Sequence, residues 1–336
     1  MKFAIGLGTT NACNFNCAHC YSRGTKLYYH SVGLIRDLTD NLDIDSINLG
    51  TGENGLNPHF NDILEFLHNK KIKISLTSNG YTIDFLSLKQ LRYFNDIDIS
   101  IDFADREKND QFRGKGAYDL AIRGIEKSKD ACVETSIACC LTNMNYKYMN
   151  EMLELSYKYK VNLRINIYKP VFTDKYKLTY KQFWDTIKLL FLNSKIVSCS
   201  EPIINTILGI KILDGGSPCG ISSIRVRPDG IFIPCVYWPH GDVKMENIKK
   251  EGIIALVKSK ELKKIQIVPE DCLDCEHIEI CKGGCAARRY YTGLDKPDEY
   301  CYLKNDKTPP TLRYTFANCK DLVHSTYLCT IILSTL

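Results

Sequence analysis

The sequence predicts an α/β protein of repeated strand–helix units followed by a small cysteine-rich region, and three observations carry that expectation. Short apolar segments bounded by turn residues recur roughly every 25 to 35 residues, at 3–7, 46–49, 72–77, 97–103, 133–141 and 161–168. Helical patterns lie between them: Phe60, Ile63, Leu64 and Leu67 share one face over 60–68, and Met149, Met152, Leu153 and Leu155 share one over 149–159. Seven of the 16 cysteines then fall between 219 and 301, outside this rhythm. Strands joined by helical crossovers run parallel, and six units are fewer than the eight that close a barrel. An aromatic, amphipathic helix over 179–192 ends the first domain, 1–195. A bridge at 196–217 contains the breaker Gly215-Gly216-Ser217 before Pro218; the cysteine-rich domain is 218–305, and 306–336, with Cys319 and Cys329, is an unassigned tail.

With 336 residues and 44% apolar content, the chain fills one large domain and a smaller one. A net charge of +5 is small for this length, so neither nucleic acid nor an anionic membrane is indicated, and Lys249-Lys250 and Lys263-Lys264 read as solvated faces. No apolar run approaches the roughly 20 residues of a membrane span. Without a signal-peptide pattern at Met1, the cysteines point to metal chemistry in a reducing, cytoplasmic setting rather than to disulfides. Gly6-Leu7-Gly8 lacks the third glycine of a dinucleotide loop.

Cys13, Cys17 and Cys20 form CxxxCxxC directly after the first strand. Three close thiolates suit a soft metal centre, and a [4Fe-4S] cube takes four protein ligands in the ordinary case, so one iron here lacks a residue. Structural zinc wants a closed set of four, and His19 inside the motif is badly placed to complete it. This spacing resembles that of the radical S-adenosylmethionine (SAM) enzymes, in which the amino acid end of SAM fills the free position. The resemblance implies a partial (β/α)6 TIM-type barrel whose open side admits a large substrate, with His19 in the place of the aromatic ring that packs on the SAM adenine.

Functional groups in such folds gather at the carboxyl ends of strands. Strand two ends in Gly50-Thr51-Gly52-Glu53, which looks like the motif whose backbone holds the SAM ammonium. Strand three ends in Thr77-Ser78-Asn79-Gly80, similar to a turn beside the cluster. Ser100-Ile101-Asp102 with Asn109 to Gly116 resembles a signature of the peptide-modifying branch, which makes Ser100 and Arg113 candidates for the SAM carboxylate and ribose side; an arginine before a glycine turn is otherwise an exposed, solvated one. Alternation along strand six aims Arg164, Asn166 and Tyr168 into the barrel mouth.

The later cysteines, Cys219, Cys235, Cys272, Cys275, Cys281, Cys285 and Cys301, resemble a SPASM domain, an extension that carries auxiliary iron–sulfur clusters. Carried over by position, Cys219, Cys235 and Cys285 hold one auxiliary [4Fe-4S] cluster and Cys272, Cys275, Cys281 and Cys301 a second. The first then lacks a ligand, because Leu213 occupies the position of a further cysteine in sulfatase maturases; either Cys199 reaches in or one iron is open to a substrate thiolate. A zinc ribbon is the rival reading of CxxC with CxxxC, although seven thiols overfill one such site. Cys132, Cys139 and Cys140 read as core fillers, or one of them as a hydrogen-atom donor.

The resemblance implies reductive cleavage of SAM to a 5'-deoxyadenosyl radical that takes hydrogen from a ribosomal peptide, installing a thioether, a carbon–carbon crosslink or an inverted centre. Val236 stands where sulfatase maturases carry an aspartate, which disfavours that reaction, with Tyr237 or a distant acid as the substitute. The first strand begins almost at Met1, so a peptide substrate would call on a separate leader-recognition protein or a direct groove, and a flavodoxin or ferredoxin-type protein would supply electrons. The alternatives are radical modification of a small molecule in cofactor biosynthesis and, in another class, a non-catalytic iron–sulfur or zinc protein.

Overall fold

The first strand, β1 (Phe3–Leu7), is buried along its whole length, as a strand covered by elements on both faces must be. In the computed structural model, which describes residues 2–23, 26–317, 322–323 and 330–336, it is followed by β2 (Ile44–Leu49), β3 (Lys73–Ser78), β4 (Asp96–Ser100), β5 (Glu134–Leu141) and β6 (Asn162–Ile167). Each pairs in parallel with the next, in registers such as Ala4 with Ser46 and Ser136 with Asn162. Helices form the crossovers. Phe60–Asn69 buries the face expected of it, Phe60, Ile63, Leu64 and Leu67, and Met149–Tyr159 buries Met149, Met152, Leu153 and Leu155.

The six strands are only part of an 11-stranded sheet. Beyond β6 the sheet continues through β11 (Ile331–Ser334) to β7 (Lys195–Cys199), with β11 antiparallel to both neighbours. Ile331, Ile332 and Leu333 are completely buried there, so the tail left unassigned in the sequence supplies a core strand, and the bridging segment begins with another. Beyond β1 lies β8 (Ser223–Val226), parallel to it, and then the antiparallel β9 (Ile231–Ile233) and β10 (Val243–Lys244). The first strand of the cysteine-rich region thus extends the barrel sheet. Cys319 and Cys329 lie outside the described residues.

The sheet curls. Residues of β1, β2, β3, β6 and β8, among them Gly6, Asn48, Thr77, Arg164 and Arg225, line one cavity of about 100 Å³. The helix Tyr180–Leu192 opens with a capping box between Thr179 and Gln182 and buries Phe183 and Trp184. Trp184 Nε1 donates to the Tyr300 carbonyl at 3.0 Å, and Phe183 stacks on Tyr300 at 4.2 Å. Deeper in this joint, Arg288 bridges Glu201, which caps the helix after β7, to Asp298 of the cysteine-rich region.

Candidate functional site

Backbone contact between the first two strand-end loops seats the CxxxCxxC segment. Glu53 N donates to the Ala12 carbonyl at 2.7 Å. Gly52, at φ +66°, has no room for a side chain: a Cβ would stand 2.6 Å from the carbonyl oxygens of both Thr10 and Ala12. The Glu53 side chain turns instead to the third loop. It accepts from Ser78 Oγ at 2.6 Å, from the amides of Asn79 and Thr82 at 2.9 Å, and from Thr82 Oγ1. Burial raises its pKa against the pull of these bonds. Asn79 completes the link, donating through Nδ2 to Asn14 Oδ1 at 2.8 Å and to Cys13 Sγ at 3.7 Å.

These contacts leave Cys13, Cys17 and Cys20 on the wall of a cavity of about 400 Å³, within the usual range for small-molecule sites. Of the residues expected to hold SAM, His19, Gly50, Gly52, Glu53, Asn79, Ser100 and Arg113 line the same cavity. Thr51 does not. It faces two neighbouring cavities and makes a 3.2 Å hydrogen bond with the Tyr21 hydroxyl.

Arg113 departs from the exposed arginine its setting suggested. Its side chain is 10% exposed and Nε donates to Asp102 Oδ2 at 2.7 Å. Asp102, wholly buried, also accepts from the Cys140 amide at 2.7 Å and lies 3.4 Å from His19 Nε2. It is the hub of this wall, which the SxD pattern signalled although only Ser100 and Arg113 were drawn from it. His19 stacks on Phe112 at 4.5 Å, and burial, outweighing Asp102, lowers its pKa to about 4, so the ring is neutral.

On β6 and just after it, Asn166 and Tyr168 line the main cavity, while Arg164 lies deeper, ion-paired with Asp98 and donating to Thr330 Oγ1 at 3.2 Å. Of the strand-five cysteines, Cys139 is core, Cys132 is exposed and Cys140 lines the cavity. Sequence reasoning passed over Tyr21 and Lys169; nothing local marks either, because each gains its place from contacts with distant segments.

The thiols of the cysteine-rich region form two groups. Cys219, Cys235 and Cys285 pack together and line a cavity of about 10 Å³, and Cys235 is raised well above the ordinary thiol value by its hydrogen bond with Cys219, by burial and by the charges of Cys219 and Cys285. Cys272, Cys275, Cys281 and Cys301 act on one another: burial first, then these neighbours, push Cys272 up to about 11, and burial with the same neighbours pushes Cys281 up to about 12. Cys199 belongs to neither group, packing in the barrel core in register with Ile331.

The residues fit the metal chemistry expected of them. Burial, helped by the charges of Glu53, Cys17 and Cys20 and opposed by a backbone hydrogen bond at Phe15, pushes Cys13 up to about 11, so these thiols ionise together only around a cation. Tetrahedral zinc would bring its sulfur ligands to about 3.8 Å from one another. Among the described residues no group of three or more His, Cys, Asp or Glu side chains is placed to hold a single metal ion. Two buried atoms of the main cavity, His19 Nδ1 and Asn166 Oδ1, have no partner within the protein and are positioned to bond a bound molecule.

Comparison with known proteins agrees with this geometry. Residues 7–156 match the radical SAM superfamily, and residues 219–286 match SPASM, an iron–sulfur cluster-binding domain. The mycofactocin maturase MftC of Mycolicibacterium smegmatis is 26% identical over 315 residues, spanning 87% of this chain and 80% of that protein. Among solved structures, Streptococcus suis SuiB bound to precursor peptide SuiA superposes with a TM-score of 0.71 at 16% identity, covering 90% of this chain and 76% of SuiB. Native anSMEcpe with bound AdoMet gives 0.70 at 20% identity, covering 90% and 95%. The two structural likenesses establish a shared fold. SAM and a [4Fe-4S] cluster are the cofactors of the first domain, and auxiliary iron–sulfur clusters those of the second. The chain carries a radical SAM domain followed by a C-terminal SPASM domain.

Proposed function

We propose that this protein is a maturase that modifies a ribosomally made peptide. When bound to the reduced cluster, SAM supplies a 5'-deoxyadenosyl radical able to take a hydrogen atom from unactivated carbon. Cys13, Cys17 and Cys20 would hold that cluster, and the backbone at Gly50 and Gly52 with Asn79, Ser100, His19 and the Asp102–Arg113 pair would orient SAM. His19 and Arg113 are largely buried in this wall, where their contacts with Asp102 are screened less than at the surface.

The observation that carries the peptide reading is a second cavity of about 280 Å³ that shares Asn11, Tyr21, Ser22 and Tyr237 with the first. Its walls include Val171, Phe172, Val236 and Trp238 with the guanidinium of Arg225, and Phe172 is 62% exposed at its rim. An apolar, aromatic trough beside the SAM space suits an extended chain presenting one residue to the reaction. The names of the relatives support it: one is a mycofactocin maturase, and SuiB has been solved with its precursor peptide.

In this reading Cys219, Cys235 and Cys285 hold the first auxiliary cluster without Cys199, and Cys272, Cys275, Cys281 and Cys301 hold the second. A flavodoxin or ferredoxin-type protein delivers electrons, a separate protein presents the leader, and the setting is cytoplasmic. No helix among the described residues is long and apolar enough to cross a membrane.

The test is anaerobic incubation with SAM, reductant and a peptide encoded beside the gene, read by mass. A loss of two hydrogens marks a crosslink or thioether, and unchanged mass with deuterium uptake from solvent marks an inverted centre. The C13A/C17A/C20A variant should release no 5'-deoxyadenosine. Release at the wild-type rate would overturn the reading.

A further inference from the structure

We propose that segment 26–30 is an open strand edge on which the peptide substrate pairs in extended form, through the backbone groups of Leu27 and Tyr29. The inference deepens the peptide reading and rests on it.

The inner side of this segment is held by residues 9–11, which lead into the cysteine loop. The Lys26 carbonyl accepts from Asn11 Nδ2 at 2.7 Å, the Tyr28 amide donates to Asn11 Oδ1 at 2.9 Å, and the Tyr28 carbonyl accepts from Thr10 Oγ1 at 2.8 Å. The His30 amide donates to the Thr9 carbonyl at 2.8 Å, and Tyr29 is the antiparallel partner of Thr10. Bonding falls on every second residue, 26, 28 and 30, as the two-residue period of an extended chain requires. The amides and carbonyls of Leu27 and Tyr29 therefore lie on the other side, where no group among the described residues bonds them.

This outer edge runs along the lip of the site. Leu27 lines the cavity of about 400 Å³ that holds the three thiols, and its neighbour Tyr28 lines the trough of about 280 Å³. A strand laid on the edge takes the same alternation, one side chain over the main cavity and the next over the trough. Leu27, Tyr28 and Tyr29 are 56%, 36% and 46% exposed, which leaves apolar surface on both faces of the edge for a neighbouring chain to cover.

An uncovered edge is a template for any extended chain that meets it, and folded proteins blunt or cover theirs. A peptide drawn across this one gains main-chain bonds whatever its sequence, while the trough selects among side chains. That division suits an enzyme acting on one residue of a flexible segment. The edge sets the register, and the register decides which residue stands over the main cavity.

The test uses wild-type holoprotein and a synthetic peptide encoded beside the gene, with copies N-methylated at one backbone position each and binding followed by fluorescence anisotropy. N-methylation removes one amide donor and leaves the side chain in place. Affinity should fall about tenfold at two positions spaced two residues apart and hardly at all at the position between them. Hydrogen exchange of the Leu27 and Tyr29 amides should slow when the unmodified peptide binds. Sensitivity without that spacing, or Leu27 and Tyr29 amides that exchange as before in the complex, overturns the proposal. Protection that appears without peptide and rises with protein concentration also overturns it, assigning the edge to a second copy of the chain. A peptide that neither binds nor changes under SAM and reductant overturns the peptide reading itself, and the edge loses its occupant with it.

Discussion

Replacing Arg288 by methionine should uncouple the SPASM region from the barrel at a calculable cost. Arg288, Glu201 and Asp298 are each wholly buried. The guanidinium donates to Glu201 Oε1 at 2.6 Å and Oε2 at 3.3 Å, and to Asp298 at 2.6, 3.0 and 3.1 Å. In R288M two carboxylates would face each other with no cation between them. Asp298 keeps the amides of Cys285, at 2.8 Å, and Tyr300, at 3.0 Å, but Glu201 loses both bonds from the arginine. Keeping a buried glutamate neutral at pH 7 costs about 1.4 kcal/mol for each unit above the ordinary value near 4.3, or about 3.7 kcal/mol. That agrees with the roughly 3–5 kcal/mol seen when a buried pair loses one partner. Anaerobic urea denaturation of holoprotein should therefore show a loss of about 4 kcal/mol at pH 7. The folded variant would hold a proton that the unfolded chain lacks, so its stability rises as pH falls, recovering about 1.4 kcal/mol between pH 7 and 6. E201Q/R288M should recover part of the loss and show no such slope. A cost below about 1 kcal/mol, or the same cost at both pH values, would refute the reasoning.

Three further outcomes follow from other parts of the molecule. Gly52→Ala places a methyl group 2.6 Å from two carbonyl oxygens at a positive φ, so the cysteine loop must shift; iron bound by the first domain and 5'-deoxyadenosine release should both fall at least roughly tenfold, as for a misplaced reacting group. His30 is held neutral by burial while Nε2 donates to the Arg227 carbonyl at 3.0 Å. Its lowered pKa contributes stability above the ordinary value of 6.5 that is lost as pH falls through the lowered one, by at most about 1.4 kcal/mol per unit, and H30Q should flatten the dependence of the urea midpoint between pH 7 and 6. Cys199→Ser should leave iron content and the spectra of all clusters unchanged, because this thiol packs among barrel residues; loss of one cluster's iron would make it a ligand after all.

The sequence by itself determined what local spacing can encode. Alternation and helical periodicity placed all six parallel strands within about three residues of their ends, because burial of a strand or of one helix face imposes its period on neighbouring residues. The motifs at strand ends located most of the main cavity for the same reason: a parallel sheet delivers the carboxyl end of every strand to one side. Tertiary structure alone decided the rest. The burial of Arg113 depends on Asp102, the strand Ile331–Ser334 pairs with residues more than 130 positions away, and Cys199 is claimed by that strand rather than by the auxiliary thiols. Lys169 and Tyr237, from segments far apart in the chain, meet with the ammonium 5.1 Å from the ring centre. Closing a loop costs a free energy that grows only with the logarithm of its length, so nothing near a residue records which distant partner it will meet.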